Sequence, residues 1–184
     1  MAPLSYSSIP TPIGTIYVAA TEHGICRVTY DDTDEEFEED LQARYGRVAV
    51  FAPEDTQLQD AELQLERYFL GELRKFDVAL DFLEGTPFMH RAWQVQTTIP
   101  YGQVRSYKWV AEQAGKPRAA RAAGQANSRC CVSIFVPCHR VISHDGSIGG
   151  YGDRVEVKKF LLRMEGAVWG RGMLHHSADD AREY

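Results

Sequence analysis

The spacing of apolar and polar residues along the first half of the chain predicts a β-hairpin, two helices and a strand. Two runs rich in β-branched residues, 14–20 and 24–30, are separated by three turn residues, as in a hairpin. An acidic first turn, which complements the helix dipole, predicts a helix over 34–45. Apolar residues recur at helical spacing over 56–70. Strict alternation over 76–82 indicates a half-buried strand. Together these elements predict an N-terminal α/β domain with a small antiparallel sheet.

The second half of the chain predicts mainly helix and includes a helix-turn-helix pattern. Ser106 can cap a helix over 107–114, and a glycine and a proline separate it from a second helix over 117–126. The second helix carries Arg118 and Arg121 among alanines. Small residues allow close approach to another surface, and arginines can contact phosphates. A buried pair of helices gives the same pattern, so the pattern alone does not establish DNA binding.

The next segment places a cysteine between an apolar run and a glycine-rich loop. Residues 132–136 are apolar and β-branched, which predicts a buried strand. Cys138 follows this run after one proline, and the loop over 143–152 contains four glycines. A last helix is expected to begin at Asp153 and to stop at Gly166.

Composition narrows the class of protein. The 184 residues are 44% hydrophobic and 25% charged, with 4 cysteines, which excludes a disordered chain, a collagen-like chain and a disulfide scaffold. No apolar run approaches the roughly 18 residues of a membrane span. The N-terminus lacks the basic start and apolar core of an export signal. We therefore expect an intracellular protein with reduced thiols, cytoplasmic or, in a eukaryote, nuclear.

The net charge of −6, taken for the whole chain, argues against a nucleic-acid partner. Counted separately, the two halves of the chain differ in sign. Residues 1–85 carry 6 basic and 18 acidic side chains, whereas residues 86–170 carry 12 basic and 5 acidic ones. Such asymmetry is a recognised sign of nucleic-acid contact. A solvated acidic helix start over 31–40 gives the same split, so the charge alone does not decide between the two. We predict a two-domain α/β fold, with an N-terminal α/β support domain over 1–85. A mainly helical C-terminal domain for DNA binding would cover 86–170, followed by a flexible tail over 171–184.

Cys138 is the candidate nucleophile. A thiol reacts as the thiolate, and an ordinary pKa of about 8.5 leaves it mostly protonated at neutral pH. The adjacent His139 can accept the proton directly or through one water. A carboxylate usually orients such a histidine. Glu165 is the candidate, because a last helix packed against the preceding strand would bring it back to the site.

The residues alone leave three other interpretations open. Cys138 can be an inert core thiol, which is common for a free cysteine. Cys130, Cys131, Cys138 and His139 can be metal ligands, although no pair has the gap of roughly two to four residues that zinc sites favour. A cysteine hydrolase is a third interpretation, but the local sequence that marks such nucleophiles is missing.

Several segments together resemble the O6-alkylguanine-DNA alkyltransferase family. The most specific is Pro137-Cys138-His139-Arg140-Val141, followed by Gly149-Gly150-Tyr151-Gly152. The resemblance covers about residues 10–166. Upstream it includes Tyr68-Phe69, Gly71-Glu72, Phe76-Asp77-Val78, Ile99-Pro100-Tyr101-Gly102, Arg105-Ser106-Tyr107 and Arg121-Ala122-Ala123-Gly124.

The resemblance implies direct reversal of DNA damage without a cofactor. In this family the helix-turn-helix enters the minor groove, and an arginine matched by Arg121 replaces the flipped nucleotide. A tyrosine matched by Tyr107 assists flipping and contacts the damaged base. Cys138 would take the alkyl group from O6-alkylguanine, or from O4-alkylthymine, as a stable thioether, so each molecule acts once. His139 and Glu165 match the relay that removes the thiol proton.

The resemblance also implies which residues hold the substrate, double-stranded DNA that contains O6-alkylguanine. We expect a monomer that can bind cooperatively along DNA. The residues expected at the DNA surface are Ser106, Tyr107, Arg118, Ala119, Arg121, Ala122 and Arg129. The residues expected to line the alkylguanine pocket are Val141, Gly149, Gly150, Tyr151 and Gly152.

The chain departs from the family pattern at Cys130-Cys131, where relatives usually carry Asn-Pro. That asparagine is a hinge that ties the recognition helix to the active-site strand, and cysteine is a weak donor and acceptor. We therefore expect a weakened hinge at Cys130 unless Asn127 or Arg129 replaces the lost contacts.

Two rival functions and a metal site are weighed against this interpretation. An alkyltransferase-like protein binds alkylated DNA without transferring anything, but such proteins lack the nucleophilic cysteine, and Cys138 is present. A helix-turn-helix transcription regulator is the second rival, but this helix-turn-helix is poor in base-reading polar side chains. Some relatives hold zinc in the first domain; here His23 and Cys26 are the only expected ligands there, so we predict no metal.

Overall fold

A computed structural model describes residues 3–170, which form two compact units. The first unit holds residues 3–84 together with Cys131–Phe135, and the second holds residues 85–130 and 136–170. The predicted tail, 171–184, lies outside the described residues. No helix in the described part of the chain is long and apolar enough to cross a membrane.

The first unit is built on a four-stranded sheet in the order β3-β2-β1-β4. β2 (Gly14–Thr21) and β3 (Gly24–Tyr30) form the predicted hairpin, and β1 (Leu4–Thr11) pairs antiparallel with β2. The short β4 (Ala49–Phe51) pairs in parallel with β1. The predicted antiparallel sheet is therefore mixed, because β4 is added to the meander through the connection that contains the first helix.

Two helices complete the first unit, and both were predicted. α1 (Asp34–Tyr45) begins with a reciprocal capping box in which Thr33 and Glu36 bond each other's backbone N–H. α2 (Thr56–Phe69) begins at the Asp55 cap and carries a well-defined apolar face. One core cluster joins α1 to the sheet and consists of Leu4, Tyr6, Tyr17, Ala19, Cys26, Phe37 and Leu41.

The strand predicted over 76–82 is wrong. The segment is extended, but only Leu80 makes a bridge, to Ile25. Two backbone hydrogen bonds hold it, from the Ile25 N–H to the Ala79 carbonyl at 2.8 Å and from the Asp81 N–H to the Ile25 carbonyl at 2.9 Å. Alternation of apolar residues reports partial burial of one face, and here Phe76, Val78, Leu80 and Phe82 are half-buried without a continuous ladder of hydrogen bonds.

The buried strand predicted over 132–136 is also wrong, although its residues are buried. The segment forms turns, with Ile134 at a φ of 77°. It packs within the first unit, where the Val28 N–H donates to the Cys131 carbonyl at 2.7 Å and Tyr30 and Ser133 join hydroxyls at 2.8 Å. Cys131–Phe135 therefore groups with the first unit rather than with the predicted C-terminal domain.

The second unit is mainly helical, as predicted. Its core cluster consists of Phe88, Ala92, Ile99, Val110, Ala111, Ala114, Ala123, Ala126 and Val141. Its elements are α3 (Pro87–Gln96), β5 (Arg105–Ser106), α4 (Tyr107–Gln113), α5 (Ala120–Ser128), a 3₁₀ helix (Cys138–Arg140), β6 (Val141–Ile142) and α6 (Val155–Met164). β5 and β6 form a two-stranded parallel sheet.

Helices α4 and α5 form the predicted helix-turn-helix. The Ser106 hydroxyl caps α4 by accepting a hydrogen bond from the Trp109 N–H at 3.1 Å. The Trp93 indole N–H of α3 donates to the Ala126 carbonyl at 2.8 Å and ties α5 to the core. α5 begins at Ala120 rather than at 117, so Arg118 lies in the turn that precedes the helix.

Helix α6 packs its buried face against the 3₁₀ helix. It follows Arg154, which makes no side-chain cap, so the predicted cap at Asp153 is wrong. The chain leaves the helix at Gly166, the predicted stop, where φ is 70°. Positions 158, 161, 162 and 165 are buried, and this spacing places them on one stripe.

Candidate active site

Cys138 is the first residue of the 3₁₀ helix and is almost completely buried, with 1% of its surface exposed. Its N–H donates to the Val136 carbonyl at 2.7 Å, which turns the chain sharply after Pro137. Its Sγ points its weak S–H donor at the Tyr151 hydroxyl, 3.8 Å away in the glycine-rich loop. The thiol therefore faces the loop predicted to line the pocket.

The structure brings together the two residues predicted to remove the thiol proton. His139 Nε2 lies 2.7 Å from Glu165 Oε1, and both side chains are fully buried. Burial lowers the pKa of His139, against the opposing effect of Glu165, which favours the neutral imidazole at pH 7. The neutral imidazole is the form of His139 that can accept a proton.

The Arg140 guanidinium forms an ion pair with the Glu165 carboxylate. Its Nε donates to Oε2 and its Nη2 to Oε1, each at 2.9 Å, while Nη1 donates to the Ile99 carbonyl at 2.7 Å. Burial alone would raise the pKa of Glu165, but hydrogen bonds and charges from His139 and Arg140 outweigh it and hold the pKa well below its usual range. The carboxylate is therefore ionised and fixed on both oxygens.

The motif Ile99-Pro100-Tyr101-Gly102 packs against the end of α6. The Gly102 N–H donates to Glu165 Oε2 at 3.1 Å, and the Tyr101 hydroxyl donates to the Met164 carbonyl at 3.3 Å. A Cβ on Gly102 would lie 2.8 Å from the Glu165 carbonyl oxygen, and its φ is 78°. Glycine is needed here because the backbone approaches α6 too closely for a side chain.

Tyr107 and Cys138 both contact the glycine-rich loop over 143–152. The Tyr107 hydroxyl hydrogen-bonds the backbone of Gly150, and its pKa is raised by burial and by the charge of Cys138. A Cβ on Gly149 would lie 2.7 Å from the Tyr107 hydroxyl. Tyr107, Cys138 and this loop therefore lie close together, and their role as an alkylguanine pocket stays a prediction.

Two residues of the site were missed by sequence reasoning. Arg140 was quoted as part of a motif without a role. Lys158 was not considered, although it is fully buried and its Nζ donates to the Val141 carbonyl at 2.6 Å and to the Gly150 carbonyl at 3.2 Å. A lysine in the apolar stripe of α6, with Leu161, was the pattern that could have revealed it.

The residues predicted at the DNA surface lie on and around the helix-turn-helix. Arg118, Arg121 and Arg129 are exposed, while Ala119 and Ala122 are half-buried and pack on the core. Ser106 and Tyr107 are half-buried at the start of α4. Exposed cations beside small residues form a surface suited to a phosphate backbone.

Cys130 follows α5 and Arg129. Its N–H reaches the Asn127 carbonyl at 3.4 Å. Asn127 is buried, and its Oδ1 has no hydrogen-bond partner within residues 3–170. The Asn127 oxygen therefore does not supply a replacement hinge contact, and the weakened hinge at Cys130 stays a prediction.

The remaining cysteines differ from Cys138 in their surroundings. Burial raises the pKa of Cys26 to about 12 and that of Cys131 to about 11, so both thiols stay protonated. Across the residues that the structure describes, no group of three His, Cys, Asp or Glu side chains could hold a metal ion.

Comparison with protein families accounts for both halves of the chain. Residues 4–82 match the 6-O-methylguanine DNA methyltransferase, ribonuclease-like domain, and residues 87–167 match the DNA binding domain of the same family. The chain belongs to the 6-O-methylguanine DNA methyltransferase family. The predicted resemblance is thereby confirmed.

Individual members of the 6-O-methylguanine DNA methyltransferase family are similar over most of their length. A methylated-DNA--protein-cysteine methyltransferase of Mycobacterium leprae is 44% identical over 158 residues, which span 86% of this chain and 90% of that protein. A constitutive one of Bacillus subtilis is 40% identical over 87% of this chain and 94% of its own. The crystal structure of Mycobacterium tuberculosis OGT in complex with DNA superposes with a TM-score of 0.74 at 37% identity, covering 88% of this chain and 92% of that chain.

Proposed function

We propose that this protein repairs DNA by moving an alkyl group from the O6 atom of guanine to Cys138. The observation that carries the proposal is a buried cysteine followed directly in the chain by a buried histidine that is hydrogen-bonded to a fixed carboxylate. Family membership and the DNA complex of a similar protein support double-stranded DNA as the partner.

The proposed step is a single displacement at the alkyl carbon. Cys138 loses its proton to His139, directly or through one water, and Glu165 stabilises the resulting imidazolium. The thiolate sulfur forms a bond to the alkyl carbon while the bond from that carbon to O6 breaks. Tyr107 donates a proton as guanine departs, so that the base leaves neutral, and the proton taken up by His139 returns to the tyrosinate through solvent, which restores both side chains. The thioether is stable, and each molecule therefore reacts once.

Base flipping is part of the proposal, because the O6 atom of a stacked guanine is out of reach of a buried thiol. Arg121 would occupy the space of the flipped nucleotide, while Arg118 and Arg129 would contact phosphates. The backbone of Val141 and the loop 149–152 would hold the flipped base. The reaction takes place where the DNA is, in the cytoplasm or, in a eukaryote, the nucleus. O4-alkylthymine would be a second substrate.

Intact mass measurement after incubation with duplex DNA that contains O6-methylguanine tests the proposal. We expect a mass increase of one CH2 unit, located at Cys138 by peptide mapping and absent with undamaged duplex. Cys138→Ala should show no increase, whereas Cys130→Ala, which changes a half-buried cysteine of the same unit, should still take up the methyl group.

The same experiment separates transfer from binding alone. An unchanged mass together with tight, damage-dependent binding would replace the proposal by a binding-only role. A methyl group found on another cysteine would show that the site is wrong.

A further inference from the structure

Lys158 is a buried cation that the relay of Cys138, His139 and Glu165 does not use. The residue has 0% of its surface exposed. Within residues 3–170 its ammonium group pairs with no carboxylate, and its hydrogen-bond acceptors are two backbone carbonyls, those of Val141 and Gly150. Burying an ammonium group without a counterion is costly, so such residues usually serve a function.

The two carbonyls belong to different walls of the expected pocket. Val141 directly follows the 3₁₀ helix that carries Cys138. Gly150 lies in the loop that contains Tyr151, and its backbone is hydrogen-bonded to Tyr107 of α4. One ammonium group at 2.6 Å and 3.2 Å from these oxygens fixes the distance between the two walls. An apolar side chain of similar length would leave both carbonyls without this donor.

The contacts of Lys158 place its positive charge near the nucleophile, because the Val141 carbonyl is three residues from Cys138 and Gly150 precedes Tyr151, whose hydroxyl lies 3.8 Å from Cys138 Sγ. Burial lowers the pKa of Lys158 to about 8, and the charge of Cys138 acts in the opposite direction. The positive charge of Lys158 also contributes to lowering the pKa of the His139 imidazole on the 3₁₀ helix. Glu165, on the same helix as Lys158, is bonded to Arg140 and His139. A thiolate formed on Cys138 therefore has Lys158 as its nearby unpaired cation.

We propose that Lys158 is a positioning residue that stabilises the Cys138 thiolate by its charge and holds the two pocket walls together through the Val141 and Gly150 carbonyls. The inference rests on the proposed alkyl transfer for its purpose, but its electrostatic part concerns the protein without DNA. No proton leaves Lys158 in the step, because the thiol proton goes to His139.

The first test measures the ionisation of Cys138 without DNA. The rate of carbamidomethylation by iodoacetamide is followed between pH 5 and pH 10 by peptide mapping, which separates Cys138 from the other cysteines. In the unaltered protein we expect an apparent pKa below the ordinary 8.5 or so of a free thiol. In Lys158→Met we expect it to rise by about one unit, which lowers the thiolate fraction about tenfold at pH 7.

The second test measures methyl transfer from O6-methylguanine duplex with the same proteins. Lys158→Met should slow transfer at pH 7 by up to about tenfold, in line with the thiolate fraction. Lys158→Arg keeps the charge and should recover most of the thiol ionisation. Lys159→Met is the matched control, since the neighbouring Lys159 pairs with Glu156 at the surface, and it should leave both readouts within about twofold.

Each result decides something. An unshifted Cys138 pKa in a folded Lys158→Met protein overturns the inference, whether or not transfer slows. If Lys158→Met does not fold, an ordinary or raised thiol pKa in the unaltered protein overturns it. If the unaltered protein takes up no methyl group but its thiol pKa depends on Lys158, the proposed function fails and the electrostatic inference stands.

Discussion

Replacing Glu165 by glutamine should destabilise the second unit by about 3–5 kcal/mol. The carboxylate accepts two hydrogen bonds from Arg140 at 2.9 Å, one from the Gly102 N–H at 3.1 Å and the 2.7 Å contact with His139. Glutamine is nearly the same size but removes the negative charge, which leaves the guanidinium of Arg140 buried and unpaired. Breaking a buried ion pair by removing one partner costs about 3–5 kcal/mol.

Tryptophan fluorescence during urea unfolding is the assay. The chain has 3 tryptophans, Trp93, Trp109 and Trp169, and all lie in the second unit, so the signal reports on the unit that contains Glu165. The control is Glu156→Gln, which neutralises an exposed carboxylate of the same helix and should change the free energy of unfolding by less than about 0.5 kcal/mol.

A double mutant sharpens the test. Glu165→Gln combined with Arg140→Met removes both charges, so part of the loss should be recovered relative to the sum of the single changes. If Glu165→Gln costs less than about 1 kcal/mol, the buried cluster does not have the energetic role assigned to it.

The same cluster predicts a dependence of stability on pH. The pKa of Glu165 is held below the value of about 4.3 that it has in an unfolded chain. Its stabilising contribution is therefore complete above that unfolded value and is lost as the pH falls toward the folded value. The difference between the unaltered protein and Glu165→Gln should shrink below pH 4; a constant difference would contradict the argument.

Three further predictions concern single side chains. Gln96→Leu should raise the free energy of unfolding by about 1–3 kcal/mol in urea titration, because Gln96 is fully buried and neither amide atom has a partner within residues 3–170; a loss of stability would contradict this. Cys130→Asn should raise the melting temperature or the transfer rate by restoring the hinge contacts, and no gain in either would contradict it. Arg118→Ala should reduce the slope of log affinity for undamaged duplex against log salt by about one unit, measured by fluorescence anisotropy; an unchanged slope would exclude a phosphate contact.

The sequence predicted most of the elements that depend on local signals. The Ser106 cap fixes where α4 begins, and this signal lies within a few residues of the helix that it starts. The pair of His139 and Glu165 was predicted from chemistry and from the family resemblance, and the structure brings the two side chains together.

The errors come from patterns that have more than one physical cause. Alternation over 76–82 and the apolar run over 132–136 report burial, and burial was taken for strand geometry. β4 was missed because its pairing with β1 joins residues about 45 positions apart, which no local pattern encodes. Lys158 was missed because a lysine in an apolar stripe reads as a solvent-exposed interruption unless the carbonyls that it binds are known.

The path of the chain through the first unit has a consequence for dividing the protein. Residues 131–135 contribute backbone and hydroxyl partners to β3, and the Phe135 ring contacts that of Phe76 with centroids 5.1 Å apart. A fragment that ends at residue 85 would lack this piece of its own interior, and a fragment that starts at residue 86 would carry it with no place to bury it. The two units are therefore inseparable by a single cut, although two family domains follow one another along the sequence.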